Sequence, residues 1–494
     1  MKHLLVLFFF LFYFSAGCQL FAQNSPTPAD SISIIQQTEH NLQAGLTDSQ
    51  NIEAVSTWSL LFRGMIGLIS IMLIAWLFSV NRKAVSIKIV IYGLLFQISL
   101  ALAILYIPFM ESAINFIGKL FELVLRSSDK GADFLFGSIM NKDSYGFIFA
   151  FHILPTIIFF SSLMSLLFYL RIVQRVVFVF AWLLKKALNM SGPESLAVAG
   201  NIFLGQTESP LLIKMYLPKL TGSEMFVVMT SGMATIAGGV MAAYIGMLGG
   251  DSPESRILFA RHLVTASVMA APGAVVIAKI LFPQTEEIDR DINVPREQAG
   301  SNVLDAIGTG ALEGLKLAAN VAIMLLVFYS FIALFNIMLG WLGKIPVSNL
   351  ASSDSYSLNE IIARASGGFY TSLSLEYLLG QIFSPLMWLI GVPSGDLSIL
   401  GRLMGEKIIF TELVGYTNLK TLIDQGAIHS PRSIVMATYM LCGFANIASV
   451  GIQIGGIGAL APNKRVFLST YGMRALLGGT LASLLSATII GAIG

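Results

Sequence analysis

Apolar residues collect into long runs that short polar stretches separate. Eight such runs lie near 58–80, 86–109, 147–170, 225–249, 257–282, 315–343, 432–455 and 466–493. A helix needs about 20 apolar residues to cross the hydrocarbon core of a bilayer. The pattern therefore predicts an all-α polytopic membrane protein with eight transmembrane helices.

Three other stretches do not fit simple crossings. Residues 110–127 are amphipathic at helical spacing, which predicts an external helix along the outer membrane surface. Residues 191–220 and 394–428 are too polar and too rich in glycine and proline to cross alone. Irregular backbone is tolerated at membrane depth only where protein or a water-filled cavity surrounds it. Both segments are therefore predicted to be re-entrant hairpins, which enter the membrane and turn back.

One order of motifs occurs twice in the chain. An amphipathic stretch leads through a Gly-Pro-Ser turn to a segment that bears a glutamate, and then to a span interrupted by small and polar residues. Trp182 precedes Glu208 by 26 residues, and Trp388 precedes Glu412 by 24. The spans that lead into the two units cross in opposite directions in the predicted topology. Inverted repeats with broken helices are typical of secondary transporters, whose sites lie where the repeats meet.

The repeats divide the chain as follows. Residues 56–146 are predicted as N-terminal scaffold helices with the external helix, 147–282 as the first repeat, 283–312 as a cytoplasmic loop and 313–494 as the second repeat. Residues 1–22 fit a signal peptide and 23–55 an extracytoplasmic flexible tail. A first membrane helix and a lipoprotein site at Cys18 are the alternatives to cleavage near Ala22. Clusters of basic residues after the first and third spans and at Lys464 and Arg465 agree with an extracytoplasmic N-terminus.

Composition narrows the function further. The chain is 55% hydrophobic and only 12% charged, with a formal net charge of +2. Average soluble domains are about 25% charged, so this chain cannot make an ordinary soluble surface. The small net charge gives no field that would attract nucleic acid. The five histidines are scattered, without metal-ligand spacing.

Glu208 and Glu412 are the first candidates for chemistry. A carboxylate at membrane depth costs about 2.5–3.5 kcal/mol even on the lenient insertion scale, and it normally faces a cavity, a partner or a ligand. The simpler alternatives are a loop-tip charge in water for Glu208 and a snorkelling side chain for Glu412. Their equivalent places in two repeats favour a shared function. A pair of membrane carboxylates could also serve an enzyme as acid and base, which is the alternative class.

The interrupted spans supply further candidates. Thr235 precedes Gly238 and Gly239 in the first repeat, and Asn446 and Ser449 lie between glycines in the second. Packing of small residues between membrane helices is the alternative explanation. A polar interruption in each repeat favours binding instead. Unwound carbonyls with asparagine and threonine side chains suit a hard cation such as Na⁺.

The motifs resemble the concentrative nucleoside transporter family over residues 58–494. The similarity is densest in "GNIFLGQTESPLLIKMYLPKLTGSEMF", "ATIAGGVMAAYIGML", "FTELVGY" and "CGFANIASVGIQIGGIGALAP". The resemblance implies eight crossings, two re-entrant hairpins, a homotrimer and alternating access by a moving transport domain. It also implies import of nucleosides by a symporter of the bacterial inner membrane, with Na⁺ as coupling ion and H⁺ as the alternative.

The resemblance also assigns site residues. Gly205, Gln206, Thr207 and Glu208 would face the nucleobase with Val240, whereas Glu412, Asn446 and Ser449 would hold the ribose beside Phe444. Sodium would bind the Asn201 and Thr235 side chains and the Leu204 and Ile236 carbonyls. Thr235 stands where the family often has serine, Leu204 where valine is common, and "FTEL" where "NEF" is common. Glycine at 205 and 239 predicts a pocket wide enough for both purine and pyrimidine bases.

Overall fold

The computed structural model describes residues 57–145, 148–288, 301–348 and 355–493. The predicted signal peptide and tail lie outside these ranges. The described residues are mostly helical, with the helices α1 Thr57–Leu77, α2 Ile87–Tyr106, α3 Pro108–Phe136, α4 Leu154–Tyr169, α5 Ile172–Leu188, α6 Gly192–Asn201, α7 Gly222–Ala234, α8 Gly238–Gly249, α9 Pro253–Leu281, α10 Val303–Leu342, α11 Leu358–Ala365, α12 Leu375–Leu389, α13 Leu397–Ile409, α14 Glu412–Asp424, α15 Pro431–Leu441, α16 Ile447–Leu460 and α17 Arg465–Ile493.

Shorter elements complete the chain. Lys142–Tyr145 and Phe149–His152 are single helical turns before α4. Strands β1 (Pro346–Ser348) and β2 (Ser355–Ser357) pair antiparallel between α10 and α11, an addition to the predicted all-α fold. Short 3₁₀ turns include Ser209–Ile213 and Leu217–Lys219 after α6.

Seven helical segments of the described ranges are long and apolar enough to cross a membrane. They match seven of the eight predicted spans, so the polytopic membrane fold is confirmed. The span predicted at 432–455 consists of α15 and α16, each too short to cross alone. The helix interruptions predicted at 234–240 and 444–451 are also present, because α7 ends at Ala234 before α8 begins at Gly238, and α15 ends at Leu441 before α16 begins at Ile447.

The long helices differ sharply in burial. All residues of the most apolar window of α9 are buried, whereas only 6% of that of α10 is. Helices α9 and α17 pack against each other, and both α7 and α15 contact each of them. The interrupted helices therefore surround a central pair, and α10 lies at the periphery against α4.

The predicted hairpin segments do double back. In the first hairpin (191–220), the Ser209 hydroxyl donates to the Ala197 carbonyl at 2.6 Å, which holds the returning arm against α6. In the second hairpin (394–428), α13 and α14 pack together after a turn at Phe410 and Thr411. The same order of elements thus occurs in 154–281 and 303–493. Each half contains a helix that leads in, an amphipathic helix, a hairpin, an interrupted helix and a long final helix.

Polar side chains fasten the base of each hairpin. Glu194 closes a capping box with Ser191 at the start of α6, and its carboxylate pairs with the Lys279 ammonium of α9 at 2.6 Å. In the second hairpin, Asp396 accepts from the backbone N–H and from Nδ1 of His429, both at 2.9 Å. Each hairpin is therefore anchored at its base while its tip reaches toward the interrupted helices.

Two boundaries differ from the sequence predictions. Residues 303–312, predicted as part of a cytoplasmic loop, belong to α10, because the Asn302 side chain accepts from Asp305 N and caps a helix that begins well before the apolar span. The amphipathic helix predicted at 110–127 extends over Pro108–Phe136, with proline at its first turn. Both helices are longer than their apolar segments, because their exposed faces can carry charged residues.

Candidate functional site

The interruptions of α7–α8 and α15–α16 lie directly against each other. Phe444 N donates to the Thr235 carbonyl at 3.3 Å, which joins the two interrupted helices. Gly443 has φ +123°, and a Cβ there would approach Ala234 O at 2.6 Å. Only glycine allows this close crossing, because both the backbone conformation and the available space exclude a side chain. The crossing sets the centre of the candidate site.

Glu412 lies beside this crossing, at the first position of α14. Thr411 caps the helix with its hydroxyl, so the Glu412 carboxylate sits at a helix N-terminus, whose dipole favours negative charge by about 0.3–1 kcal/mol. Tyr244 donates its hydroxyl to Oε1 at 2.9 Å, and Asn446 donates Nδ2 to Oε2 at 2.9 Å. These bonds orient a buried carboxylate and leave it lone pairs for a ligand's hydroxyl groups.

Asn446 and Ser449 come together at the start of α16. Asn446 is the N-cap of α16, and its Oδ1 accepts from the Ser449 backbone N–H at 2.8 Å. Its two side-chain atoms therefore connect the helix start to Glu412. Capping explains the asparagine at this position, since asparagine is among the residues that cap best.

Gln206 of the first hairpin reaches the second repeat. Its Nε2 donates to Ser449 Oγ at 2.9 Å, and its Oε1 accepts from Gln453 Nε2 at 3.1 Å. Gln453 also donates to the Met229 carbonyl of α7 at 2.9 Å. The structure thus brings the predicted base-facing residue into contact with a predicted ribose-facing residue.

Glu208 has a local partner. Its Oε2 accepts from Gly205 N at 3.0 Å, and the side chain is exposed, unlike the buried Glu412. A Cβ on Gly205 would lie 3.5 Å from Glu208 Cδ and 3.6 Å from Ala237 Cβ. The hairpin tip therefore lies next to the interruption before α8, where Gly238 N donates to the Phe203 carbonyl.

The other predicted residues are distributed around this tip. Val240 is buried in the first turn of α8. Thr207 touches α16, because a Cβ on Gly456 would approach Thr207 Cγ2 at 2.7 Å. A Cβ on Gly239 would instead meet Phe160 of α4 at 3.5 Å. Gly239 therefore makes room for α4, and Gly205 is the glycine next to site residues.

The predicted sodium ligands gather around Ser231 of α7. Asn201 Nδ2 donates to Ser231 Oγ at 2.9 Å, and Thr235 Oγ1 donates to the Ser231 carbonyl at 2.9 Å. Asn201 Oδ1 is buried without a hydrogen-bond partner. Leu204 and Ile236, which would offer carbonyls, are both buried. A buried oxygen without a donor, near a helix C-terminus of partial negative charge, suits a cation.

Tyr244, Gln453 and Ser231 were not singled out from the sequence. Each lies within an apolar helical stretch and forms a hydrogen bond with a residue at least 30 positions away in the sequence. A polar side chain in an otherwise apolar membrane helix is a signal that could have identified all three. The apolar cavity of about 500 Å³ between α10 and α14 lies apart, lined by Leu325, Tyr329 and Thr417 among others, and is not this site.

Comparison with known families covers almost all of the described chain. The model described as "Na+ dependent nucleoside transporter C-terminus" matches residues 262–491, that described as "Na+ dependent nucleoside transporter N-terminus" matches 66–139, and "Nucleoside recognition" matches 150–251. The nucleoside permease NupC of Helicobacter pylori is 36% identical over 434 residues, which are 86% of this chain and 96% of that protein. An uncharacterised transporter of Haemophilus influenzae is 38% identical over 436 residues, 86% of this chain and 96% of the relative.

Solved structures agree. CNTnw in an inward-facing, substrate-bound state superposes with a TM-score of 0.77 at 34% identity, covering 87% of this chain and 98% of that one. A substituted CNTnw in an outward-facing state gives 0.75 at 33% identity, with 88% and 97% covered. These relatives are transporters, which removes the enzyme alternative. The chain belongs to the concentrative nucleoside transporter family.

Proposed function

We propose that this protein imports nucleosides by symport with Na⁺. The observation that carries the proposal is the cluster of Glu412, Asn446, Gln206 and Ser449, in which hydrogen bonds join the first hairpin to the interrupted helix of the second repeat. A nucleoside is neutral and carries a flat polar base and a sugar with two neighbouring hydroxyls. The cluster presents an amide for a base edge and a carboxylate for a diol.

Glu412 takes the ribose in this proposal. A carboxylate accepts hydroxyl donors in charge-assisted bonds, which are about twice as strong as neutral ones. Tyr244 and Asn446 already fix its orientation, so little reorganisation accompanies binding. A sugar without a hydroxyl would leave part of this buried carboxylate unpaired, which is how the site would reject it.

Gln206 takes the base, with Thr207, Glu208, Gly205 and Val240 around it and Phe444 beside the sugar. An amide both donates and accepts, as the edges of purines and pyrimidines require. To bind a base, Gln206 would exchange its bond to Ser449 for bonds to the ligand. Substrate binding would thereby alter a contact between the two repeats, which links recognition to the movement of alternating access.

Sodium is the coupling ion in this proposal, held by Asn201, Thr235 and the carbonyls of Leu204 and Ile236. Support comes from the buried Asn201 oxygen that lacks a partner and from its proximity to the end of α7. The descriptions of the family models that match the chain also name Na⁺ dependence. Helix α7 ends at Ala234, only a few residues before Val240. An ion bound at the end of α7 would therefore order the backbone that also borders the base.

The proposal also includes the topology, the location and the oligomeric state of the protein. Both hairpins are re-entrant, the N-terminus is extracytoplasmic, and the protein acts in the bacterial inner membrane as a homotrimer. Only 6% of the most apolar window of α10 is buried within a single chain, which supports a surface that lipid or a second copy covers.

Uptake into proteoliposomes tests the function. Labelled uridine should accumulate when an inward Na⁺ gradient is imposed, and an inward proton gradient without sodium should give no accumulation. Accumulation driven equally by the proton gradient would establish H⁺ coupling instead. Absence of transport for every member of a nucleoside panel under both gradients would contradict the substrate class.

A further inference from the structure

Lys407 is a fully buried lysine of the second hairpin that the proposed transport mechanism does not use. Its Nζ donates to the Met440 carbonyl at 2.8 Å and to Ser483 Oγ at 3.2 Å. In the part of the chain that the structure describes, no ion pair involves it. An ammonium buried without a carboxylate in direct contact is costly, and the Glu412 carboxylate attracts this one only from beyond ion-pair distance, so its location requires an explanation.

One acceptor of Lys407 lies at the end of a half-helix, and the other, Ser483, lies within α17. Helix α15 ends at Leu441, and Met440 O is one of its last carbonyls. The final carbonyls of a helix lack partners within the helix and carry a partial charge of about −0.5. The Ser483 hydroxyl in turn donates to the Cys442 carbonyl at 2.8 Å. The ammonium therefore neutralises the C-terminal end of α15 where the helix is interrupted.

The first repeat contains the matching arrangement without a built-in cation. Asn201 follows Trp182 by 19 residues, and Lys407 follows Trp388 by 19. Both lie in the first helix of a hairpin, α6 or α13, and both contact the half-helix that follows, at Ser231 of α7 or Met440 of α15. Asn201 offers an oxygen without a partner at this place, and Lys407 offers a positive charge.

We propose that the Lys407 ammonium is a built-in cation in the second repeat. It occupies the position that corresponds to the exchangeable Na⁺ site of the first repeat. The inference rests on the proposed sodium site at Asn201. Each interrupted helix then has its C-terminal charge balanced, one by an ion that can leave and one by a side chain that cannot. The transporter consequently couples one Na⁺ to each nucleoside, and the contacts around Glu412, five residues beyond Lys407, stay ordered when sodium is released.

Two substitutions test this assignment. Lys407→Asn removes the charge and supplies the side chain that the first repeat uses, whereas Lys407→Met removes the charge and supplies no oxygen. Thermal unfolding of the purified transporters is compared in sodium chloride and in choline chloride of equal ionic strength. A ligand that binds only the folded state raises Tm. We expect sodium to raise the Tm of K407N by several degrees more than that of the wild type, and K407M to show no such extra gain.

Flux measurements on the unaltered protein provide the second test, which does not depend on folding of a variant. The ratio of labelled sodium to labelled uridine entering proteoliposomes should be one, with a Hill coefficient for sodium near one. A sodium-dependent wild type with a ratio of two would overturn the role of Lys407 but not the proposed sodium coupling. So would a K407N variant that folds but whose Tm responds to sodium no more than that of K407M. Uridine uptake independent of sodium in the wild type would overturn the proposed coupling together with this inference.

Discussion

Gln206 Nε2 and Ser449 Oγ lie 2.9 Å apart, although 243 positions separate them in the chain. The bond joins the tip of the first hairpin to the first turn of α16. Two groups that the proposed site assigns to the nucleoside are therefore hydrogen-bonded to each other. A typical hydrogen bond contributes about 0.5–1.5 kcal/mol net, so a ligand that offers both partners better bonds can replace it at small cost. If these residues bind the nucleoside as proposed, this contact between the repeats would respond to substrate.

Glu412→Gln should weaken uridine binding about tenfold or more. The substitution keeps the shape and removes the charge, and a hydrogen bond to a charged group contributes about 1.5–3 kcal/mol. Uridine affinity of the purified variant is the measurement. Glu254→Gln, at an exposed carboxylate near the start of α9, serves as the control and should bind uridine normally. A folded E412Q transporter with unchanged affinity would contradict the assignment of the ribose to this residue.

Tyr244→Phe should weaken uridine binding by about 3- to 10-fold, which corresponds to partial loss of a hydrogen bond to a charged group. The phenyl ring keeps the packing against Tyr416, whose ring centroid is 4.5 Å away, and only the donor to Glu412 is lost. Tyr416→Phe is the matched control, because its hydroxyl donates to the Thr438 carbonyl and not to Glu412. The effects of Y244F and E412Q should be less than additive, since both act on one carboxylate. Full additivity would mean that Tyr244 acts elsewhere.

Adenosine and uridine should both be carried, with affinities within about tenfold, or 1.4 kcal/mol, of each other. A Cβ on Gly205 would make only ordinary contacts with Glu208 and Ala237, so the position has room for a side chain. Gly205→Ser should therefore fold and weaken adenosine selectively, because the hydroxymethyl group takes space that the larger base needs. Gly239→Ser is the comparison, since its side chain would point at Phe160. Uridine uptake that excess adenosine leaves unaffected in the wild type would show a narrow pocket.

Asn201→Ala should raise the sodium concentration for half-maximal uridine uptake by about tenfold or more, equivalent to about 1.4 kcal/mol. The variant loses the buried oxygen that has no partner, together with the bond to Ser231. Thr230→Val is the matched control, because Thr230 Oγ1 is also buried without a partner on α7 but lies outside the predicted ligand set. An unaltered sodium dependence in N201A, or an equal change in both variants, would remove Asn201 from the site.

The contact between His429 and Asp396 should make stability depend on pH. The hydrogen bond from His429 to Asp396 raises the pKa of His429 above its ordinary value of 6.5. A raised histidine pKa contributes stability that is complete below pH 6.5 and is lost as pH rises through the folded-state value. The difference in Tm between wild type and His429→Gln should thus be largest at acid pH and shrink as pH rises. A difference that grows with pH would contradict the sign of this linkage.

Much of this protein could be predicted from local patterns. Long apolar runs specify membrane helices because each backbone polar group must find a partner within its own helix, so the spans could be placed without knowledge of their neighbours. The interruption near Gly238 was predictable for a similar reason, since paired glycines and a polar residue weaken a helix in any context. The glutamates at 208 and 412 could be singled out because a charge in apolar sequence is costly wherever it lies.

The tertiary structure decided which of these residues meet. The bond of Gln206 to Ser449, the contact of Tyr244 with Glu412 and the position of Lys407 at the end of α15 all join distant parts of the chain. A polar side chain in an apolar helix marks Tyr244 and Gln453 as unusual, but no local pattern gives their partners or that of Lys407, because these depend on which helix end or carboxylate the packing brings near. Periodicity reports how one helix meets its surroundings, whereas the environment of a buried polar group depends on the other helices. The sequence by itself determined the membrane helices, their interruptions and the candidate carboxylates, and only the packing of the two repeats against each other decided the partners of those groups.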